Sequence, residues 1–434
     1  MELYIHIPFC IRKCAYCDFL SGPADEQTQD RYMVALLREV ELAGEMHRNH
    51  LRPAENLENV GYDDASGAEV VETVFIGGGT PSAVDAEWIL RLMEQVRTSF
   101  VVAEDTEITM EANPGTLTKE KLAVYRQAGI NRLSMGLQST DNGELARLGR
   151  IHTYETFLEN YQMARQAGFT NINIDLMSAL PGQSIDSYEE TLRRVIALEP
   201  EHISAYSLII EEGTPFGKRY PERLDGTEEE SAGSVGGRES QWQLPTEEED
   251  RQMYHLTKSI LAEAGYHRYE ISNYARPGYE CRHNVGYWTG VPYLGLGLGA
   301  ASYYGGQRFS NTRDMGEYLQ LLMQDGMDTT DVLDDLRRDN ELLSAQDSME
   351  EFMFLGLRLT DGVSEVAFEK KFGQSMETVY GMVLKKMERQ GLLLKKKGSC
   401  SAKTTEREEA KDTIWSLTEL GLDVSNCVLA EFLL

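Results

Sequence analysis

With 434 residues, 71 acidic against 42 basic side chains and a formal net charge of −29, the chain has length for two or three domains and is too acidic overall for nucleic acid or an anionic membrane to be its partner. No apolar run reaches transmembrane length, and the chain opens directly on a strand-like segment, so neither an integral membrane segment nor a signal peptide is expected. Three of its six cysteines (Cys281, Cys400 and Cys427) lie far apart, a usage that suits a reducing cytoplasm better than a disulfide framework.

The first predicted element is a strand over 2–7, stopped by Pro8, and directly behind it stand Cys10, Cys14 and Cys17 in a C-x3-C-x2-C array. Three thiols within eight residues cannot all pair with one another, but they can converge on one metal centre. A [4Fe–4S] cluster ordinarily takes four thiolates, so a three-cysteine set leaves one iron open to an outside ligand. A zinc site completed by His6 is the competing reading, although zinc more often uses two short ligand pairs far apart.

From here the first half repeats one unit, a short apolar strand, a turn and an amphipathic helix. Further strands are predicted at 72–77, 107–112, 131–137, 171–177 and 202–208, and helices near 28–45, 84–99, 118–128, 141–148, 154–167 and 186–198. Serial strand–helix units imply parallel strands with right-handed crossovers. Six units are too few for a complete eight-unit barrel, so the expected fold class is α/β, an open (βα)6 partial TIM barrel with its site at the carboxyl ends of the strands. Those ends carry Gly77-Gly78-Gly79-Thr80, Glu111-Ala112-Asn113-Pro114, Gln138, Asp175 and, past Tyr206, Ile209. Gly78 and Gly79 would let backbone approach a ligand, and Arg150 would pair with a carboxylate.

Polar stretches at 46–70 and 222–248 read as surface insertions. A helix is expected over 249–264 with Met253, Leu256, Ile260 and Leu261 on its apolar face, then a strand-like run from Tyr269 to Tyr274, the segment Cys281-Arg282-His283-Asn284-Val285-Gly286-Tyr287-Trp288, and a glycine-rich apolar stretch from Tyr293 to Gly299. The last ~90 residues are expected to form a small α+β winged-helix-like unit. Its first helix would be capped by Ser348 and Glu351, its next two helices would run near 364–372 and 375–390, and strands at 392–396 and 412–417 would flank a polar wing.

Taken together, Tyr4-x-His6-x-Pro8-Phe9-Cys10, Gly77-Gly78-Gly79-Thr80-Pro81-Ser82, Glu111-Ala112-Asn113-Pro114, Leu180-Pro181-Gly182-Gln183 and the carboxyl-terminal unit resemble the oxygen-independent coproporphyrinogen III oxidase superfamily of radical S-adenosylmethionine (SAM) proteins. His283-Asn284-Val285-Gly286-Tyr287-Trp288 matches the H-N-x-x-Y-W motif of the heme-chaperone branch of that superfamily. The resemblance implies a radical SAM core over 1–245, a core extension over 246–340 and a carboxyl-terminal domain over 341–434. It implies that Cys10, Cys14 and Cys17 hold a [4Fe–4S] cluster whose open iron takes SAM. Tyr4, Tyr16, Gly78, Gly79, Thr80, Glu111, Gln138, Arg150, Asp175 and Ile209 would be the SAM contacts. It further implies heme as a ligand, with His283 as candidate axial ligand and Tyr287 and Trp288 beside the porphyrin, together with a heme-acceptor protein and an electron donor as partners. The alternative is oxidative decarboxylation of coproporphyrinogen III. Two departures weigh against it: Phe19 stands where the oxidase pattern has a fourth cysteine, and only nine residues precede Cys10, leaving no room for the oxidase's leading extension.

Overall fold

A computed structural model describes residues 1–50, 70–221, 242–324, 329–398 and 412–434. Its first half alternates β1 (Glu2–Ile7), α1 (Glu26–His50), β2 (Val71–Gly78), α2 (Ala86–Ser99), β3 (Val102–Ala112), α3 (Lys119–Gln127), β4 (Arg132–Gln138), α4 (Asn142–Arg147), α5 (Tyr154–Gln166), β5 (Ile172–Ser178), α6 (Ile185–Ile196), β6 (His202–Ser207) and the short α7 (Pro215–Arg219). Strands β1 to β6 pair in parallel in chain order. Most of the helices between them start on an Asp, Thr or Ser whose side chain accepts a backbone N–H of the first turn, as Asp85, Thr118, Asp141, Thr153 and Ser184 do. Along β1, Leu3, Ile5 and Ile7 alternate with Glu2, Tyr4 and His6, so the aliphatic set joins Tyr32, Leu36 and Val40 of α1 in the main core and the polar set takes the other face.

The second half extends this sheet at both edges. It contains α8 (Glu247–Glu263), β7 (His267–Arg268), β8 (Asn273–Ala275), α9 (Arg282–Thr289), β9 (Tyr293–Leu296), β10 (Ala301–Tyr304), β11 (Gln307–Asn311), α10 (Met315–Leu322), α11 (Thr329–Leu336) and β12 (Arg337–Leu342). The resulting order is β12-β11-β10-β9-β1-β2-β3-β4-β5-β6-β8-β7, an open twelve-stranded sheet. The glycine-rich stretch from Tyr293 thus supplies β9, which pairs in parallel with β1. Gly295 is needed there because a Cβ would meet the Ala301 carbonyl oxygen at 2.1 Å.

Three sequence expectations are corrected. The strand-like run Tyr269–Tyr274 is strand only at its end: residues 269–272 turn between β7 and β8, closed by Glu270, whose Oε1 accepts from the Ser272 N–H and from Asn273 Nδ2, each at 2.7 Å, and Asn273 and Tyr274 open β8. The insertion expected from 46 begins later, because α1 continues to His50 while His47 Nδ1 bonds Tyr304 Oη at 2.7 Å across to β10. Residues 51–69, 222–241 and the wing residues 399–411 lie outside the described residues.

The carboxyl-terminal unit comprises α12 (Ala345–Gly356), β13 (Val363–Ser364), α13 (Glu365–Phe372), α14 (Met376–Arg389), β14 (Leu393–Lys397) and β15 (Thr413–Leu417), followed by short helices at Glu419–Asp423 and Ser425–Ala430. Its antiparallel sheet has the order β13-β15-β14. The third correction lies at its start: Ser344 and Asp347 form the capping box, one turn earlier than Ser348 and Glu351, because Glu351 is engaged by Arg308 at 2.7 Å. A second apolar core, built from Met353, Leu357, Phe368, Tyr380, Leu384, Trp415 and Phe432, holds this unit together. Phe368 is fully buried at its centre. Phe368→Ala is expected to cost roughly 3–5 kcal/mol, read as an early unfolding transition of this unit in urea, with the parallel sheet retained.

Candidate cofactor site at the carboxyl ends of the parallel strands

The cysteine loop leaves β1 and is tied back to its neighbours through the backbone. Gly22 N–H donates to Pro8 O at 3.0 Å, Cys10 N–H to Gly22 O at 3.0 Å, and Thr80 N–H to Phe9 O at 2.7 Å. Cys10, Cys14 and Cys17 are unbridged and line one cavity of about 130 Å³ together with Tyr16, Gly78, Gly79, Thr80, Glu111, Gln138, Arg150 and Asp175. Sequence-distant residues from β2, β3, β4, β5 and the loop after α4 therefore meet at one rim. The zinc alternative finds no support. His6 is committed through Nδ1 to Tyr4 Oη at 3.0 Å and through Nε2 to Leu20 O at 2.9 Å. Three soft thiolates in a shared cavity suit the corners of an iron–sulfur cube.

Arg150 is anchored beside the thiols. It donates to Asn113 Oδ1 at 2.6 Å, to Gly136 O, and to Cys14 Sγ at 3.7 Å. Asn113 in turn donates through Nδ2 to Thr80 Oγ1 at 2.7 Å, and Thr80 donates to Cys10 Sγ at 3.5 Å. Asn113 thus locks the guanidinium and the thiol neighbour into one network. Its place in Glu-Ala-Asn-Pro was legible, but its role needed the fold. Gln138 has φ 73°, a left-handed backbone rare outside glycine, where the β4–β5 register shifts. The shift turns its side chain toward Tyr206 Oη, 3.3 Å away at the cavity wall.

The carboxylates face opposing demands. Burial, reinforced by the nearby Asp175 charge, pushes Glu111 up to about 7, although Gly78 N–H donates to Glu111 Oε2 at 3.0 Å and opposes the shift. Burial also raises Asp175 above its usual range, against hydrogen bonds from Asn173 and Ser134. A cationic ligand in this cavity would favour the ionised forms.

Two of the expected contacts are not among the residues that line this cavity. Ile209 is 69% exposed and outside the cavity lining, and Tyr4 bonds His6 from within the barrel. The glycines also have a reason other than ligand approach: a Cβ at position 78 would lie 2.4 Å from the His6 ring, and one at 79 would lie 2.6 Å from Phe9 O.

The heme candidates occupy the opposite end of the strands. The first turn of α9 docks on Glu107 of β3, which accepts from the N–H groups of Arg282 at 3.1 Å and His283 at 3.3 Å. His283 is 1% exposed; Nδ1 faces Thr73 Oγ1 at 2.7 Å and Nε2 faces Tyr287 Oη at 3.0 Å. Burial and the Arg132 charge press its pKa down to about 3, keeping it neutral. The expected axial ligand thus stands in a closed environment with both ring nitrogens engaged. Trp288, on the same helix, faces away toward the carboxyl-terminal unit and packs under the Arg358 guanidinium at 4.3 Å.

A parallel open barrel with three cysteines and a polar rim at its carboxyl end defines a radical SAM protein. Consistent with this, residues 4–195 match the Radical SAM superfamily model and residues 343–403 match the HemN C-terminal domain. The fold resembles that of coproporphyrinogen III oxidase (HemN) from Escherichia coli, with a TM-score of 0.73 at 22% identity, covering 100% of this chain and 89% of that one. The chain is 35% identical to heme chaperone HemW of Bacillus subtilis, over 90% of this chain and 92% of that protein. It is 32% identical to heme chaperone HemW of Lactococcus lactis, over 99% of this chain and 97% of that protein. The chain belongs to the HemW family of radical SAM proteins.

Two outcomes follow for the site. Because the Glu111 carboxyl ionises near 4.5 when unfolded and near 7 when folded, its favourable contribution is present below pH 4.5 and is lost as pH rises to 7. Glu111→Gln is therefore expected to be about 3 kcal/mol more stable than the parent at pH 8, relative to the difference between them at pH 4, as measured by urea denaturation at both pH values. Asn113→Ala is expected to weaken SAM binding about tenfold by freeing Arg150, measured by calorimetry, without loss of bound iron.

Proposed function

We propose that this protein is a cytoplasmic heme chaperone that binds heme, a [4Fe–4S] cluster and SAM and passes heme to an acceptor protein. The reading rests on one observation above others: similarity along 90% of the chain to a protein named as a heme chaperone. It is supported by Phe19, which is 70% exposed at the cavity mouth where the oxidase pattern of the superfamily has a fourth cysteine.

In this proposal Cys10, Cys14 and Cys17 would hold the [4Fe–4S] cluster, which would keep one site open for SAM. Arg150 carries the fixed positive charge suited to the SAM carboxylate, and Glu111 and Asp175 supply negative charge for its cationic groups. When bound and reduced by a donor protein, the cluster supplies one electron to the sulfonium. The chain places SAM, shields it and holds or releases the proton of Glu111. Heme contact is assigned to the Trp288 side of α9. Iron ligation by His283 would require the ring to give up one of its two bonds, that of Nδ1 with Thr73 or that of Nε2 with Tyr287, inside a buried site.

The decisive comparison is made anaerobically with reconstituted protein, SAM and reductant, supplying hemin and coproporphyrinogen III separately. A shifted Soret band with hemin and no protoporphyrinogen from the second substrate are expected. Decarboxylation over many turnovers would replace the chaperone reading with the oxidase one. Loss of the Soret shift in His283→Ala would return that imidazole to the role of ligand.

A further inference from the structure

Between the cysteine cavity and the amino end of the strands, the barrel holds polar side chains that do not reach the cavity. Asn173 of β5, His202 of β6 and Tyr269 of the turn before β8 are buried, and none of them lines it. They form one continuous string of hydrogen bonds that ends on Asp175, which does line it. Asn173 Nδ2 donates to Asp175 Oδ1 at 2.7 Å and to Ser134 Oγ at 2.8 Å. Asn173 Oδ1 meets His202 Nδ1 at 2.6 Å and accepts from Ser204 Oγ at 3.2 Å. His202 Nε2 meets Tyr269 Oη at 2.8 Å, and that oxygen accepts from the Cys281 N–H, at the start of α9, at 3.3 Å.

Chemistry fixes the direction of each bond. An ionised carboxylate only accepts, so Asn173 turns its amide nitrogen to Asp175 and its oxygen to His202. Facing that oxygen, His202 Nδ1 carries a proton. Burial and the Arg132 charge hold the ring pKa well below its usual value, so the ring is neutral and Nε2 accepts from the Tyr269 hydroxyl. Burial pushes the Tyr269 pKa far up, which keeps that proton on the oxygen. All the donors in the string therefore point toward Asp175, and hydrogen bonds aligned in one direction strengthen one another. The buried Arg132 charge favours the same ionised carboxylate, while Glu111 opposes it from across the cavity.

We propose that His202 and Tyr269 are positioning residues for SAM: acting through Asn173, they hold the Asp175 carboxylate in the orientation it presents to the cavity. Neither touches the ligand. The inference rests on the reading of this cavity as the SAM site and adds two residues on which that site depends. Without the His202 ring, Asn173 loses the shorter of the two bonds to its oxygen, and its amide can turn that oxygen toward Asp175.

The test is anaerobic calorimetry of SAM binding to the full-length, cluster-loaded protein. The parent is expected to bind SAM. His202→Leu is expected to weaken binding about tenfold and Tyr269→Phe about threefold. His202→Asn, whose amide N–H can stand near the place of Nδ1, is expected to restore most of the affinity. In an Asp175→Asn background, adding His202→Leu is expected to cause no further loss, because the string then has no carboxylate to hold. Equal losses with and without the Asp175 carboxylate would overturn the positioning role and leave the SAM site standing. Undiminished affinity in Tyr269→Phe, which removes one hydroxyl and keeps the ring, would do the same even where His202→Leu does not fold. A parent that binds no SAM would overturn the site and the positioning role together.

Discussion

Strand β1 is paired on both sides, with β2 along one edge and β9 along the other, and nearly everything functional hangs from its two ends. Parallel pairing fixes its register: Tyr4 lies opposite Phe75 and His6 opposite Gly77, so the chain leaves the sheet at Pro8 with one allowed direction. Backbone bonds from Cys10 to Gly22 and from Thr80 to Phe9 then convert that direction into a fixed cysteine loop. At the other end Glu2 packs so closely under α9 that a Cβ on Gly286 would lie 1.8 Å from its carboxylate. A slip of one residue in β1 would turn its aliphatic face inward and displace both ends at once.

The two ends differ in how they treat buried charge. At the carboxyl end, Arg150 is held by neutral oxygens and a thiol, while Glu111 and Asp175 are raised by burial. Among the described residues none of these three forms a salt bridge, although the Arg132 charge acts on Asp175, a state suited to a zwitterionic ligand with an additional positive centre. At the amino end, Glu107 accepts from backbone N–H groups of α9 and the His283 ring is bonded on both sides, while burial pushes the Glu2 carboxyl up to about 8.

Much of this was legible in the residues. The strand–helix alternation, the open barrel and the rim composition follow from apolar periodicity and punctuation, and predicted bounds differ from the observed ones by only a few residues at most ends. The cysteine loop was readable because its spacing admits few other uses. Ile209 stands two positions beyond β6, where the chain can turn either way, and its side chain is exposed. Tyr293–Leu296 gave no clear strand signal, since its glycine answers to β10 and not to local propensity.

The sequence by itself therefore determined the repeating architecture, the three-thiol site and the family, because these depend on local pattern and on spacing along a single segment. Tertiary structure decided what Asn113, Gln138 and the glycines at 78 and 79 do, since each answers to a partner dozens of residues away or to a backbone geometry that only the packed sheet imposes. It also decided the fate of the H-N-x-x-Y-W segment. Folding α9 onto β1, β2 and β3 turns His283 into the barrel and Trp288 toward the carboxyl-terminal unit, because positions five apart on a helix point in different directions.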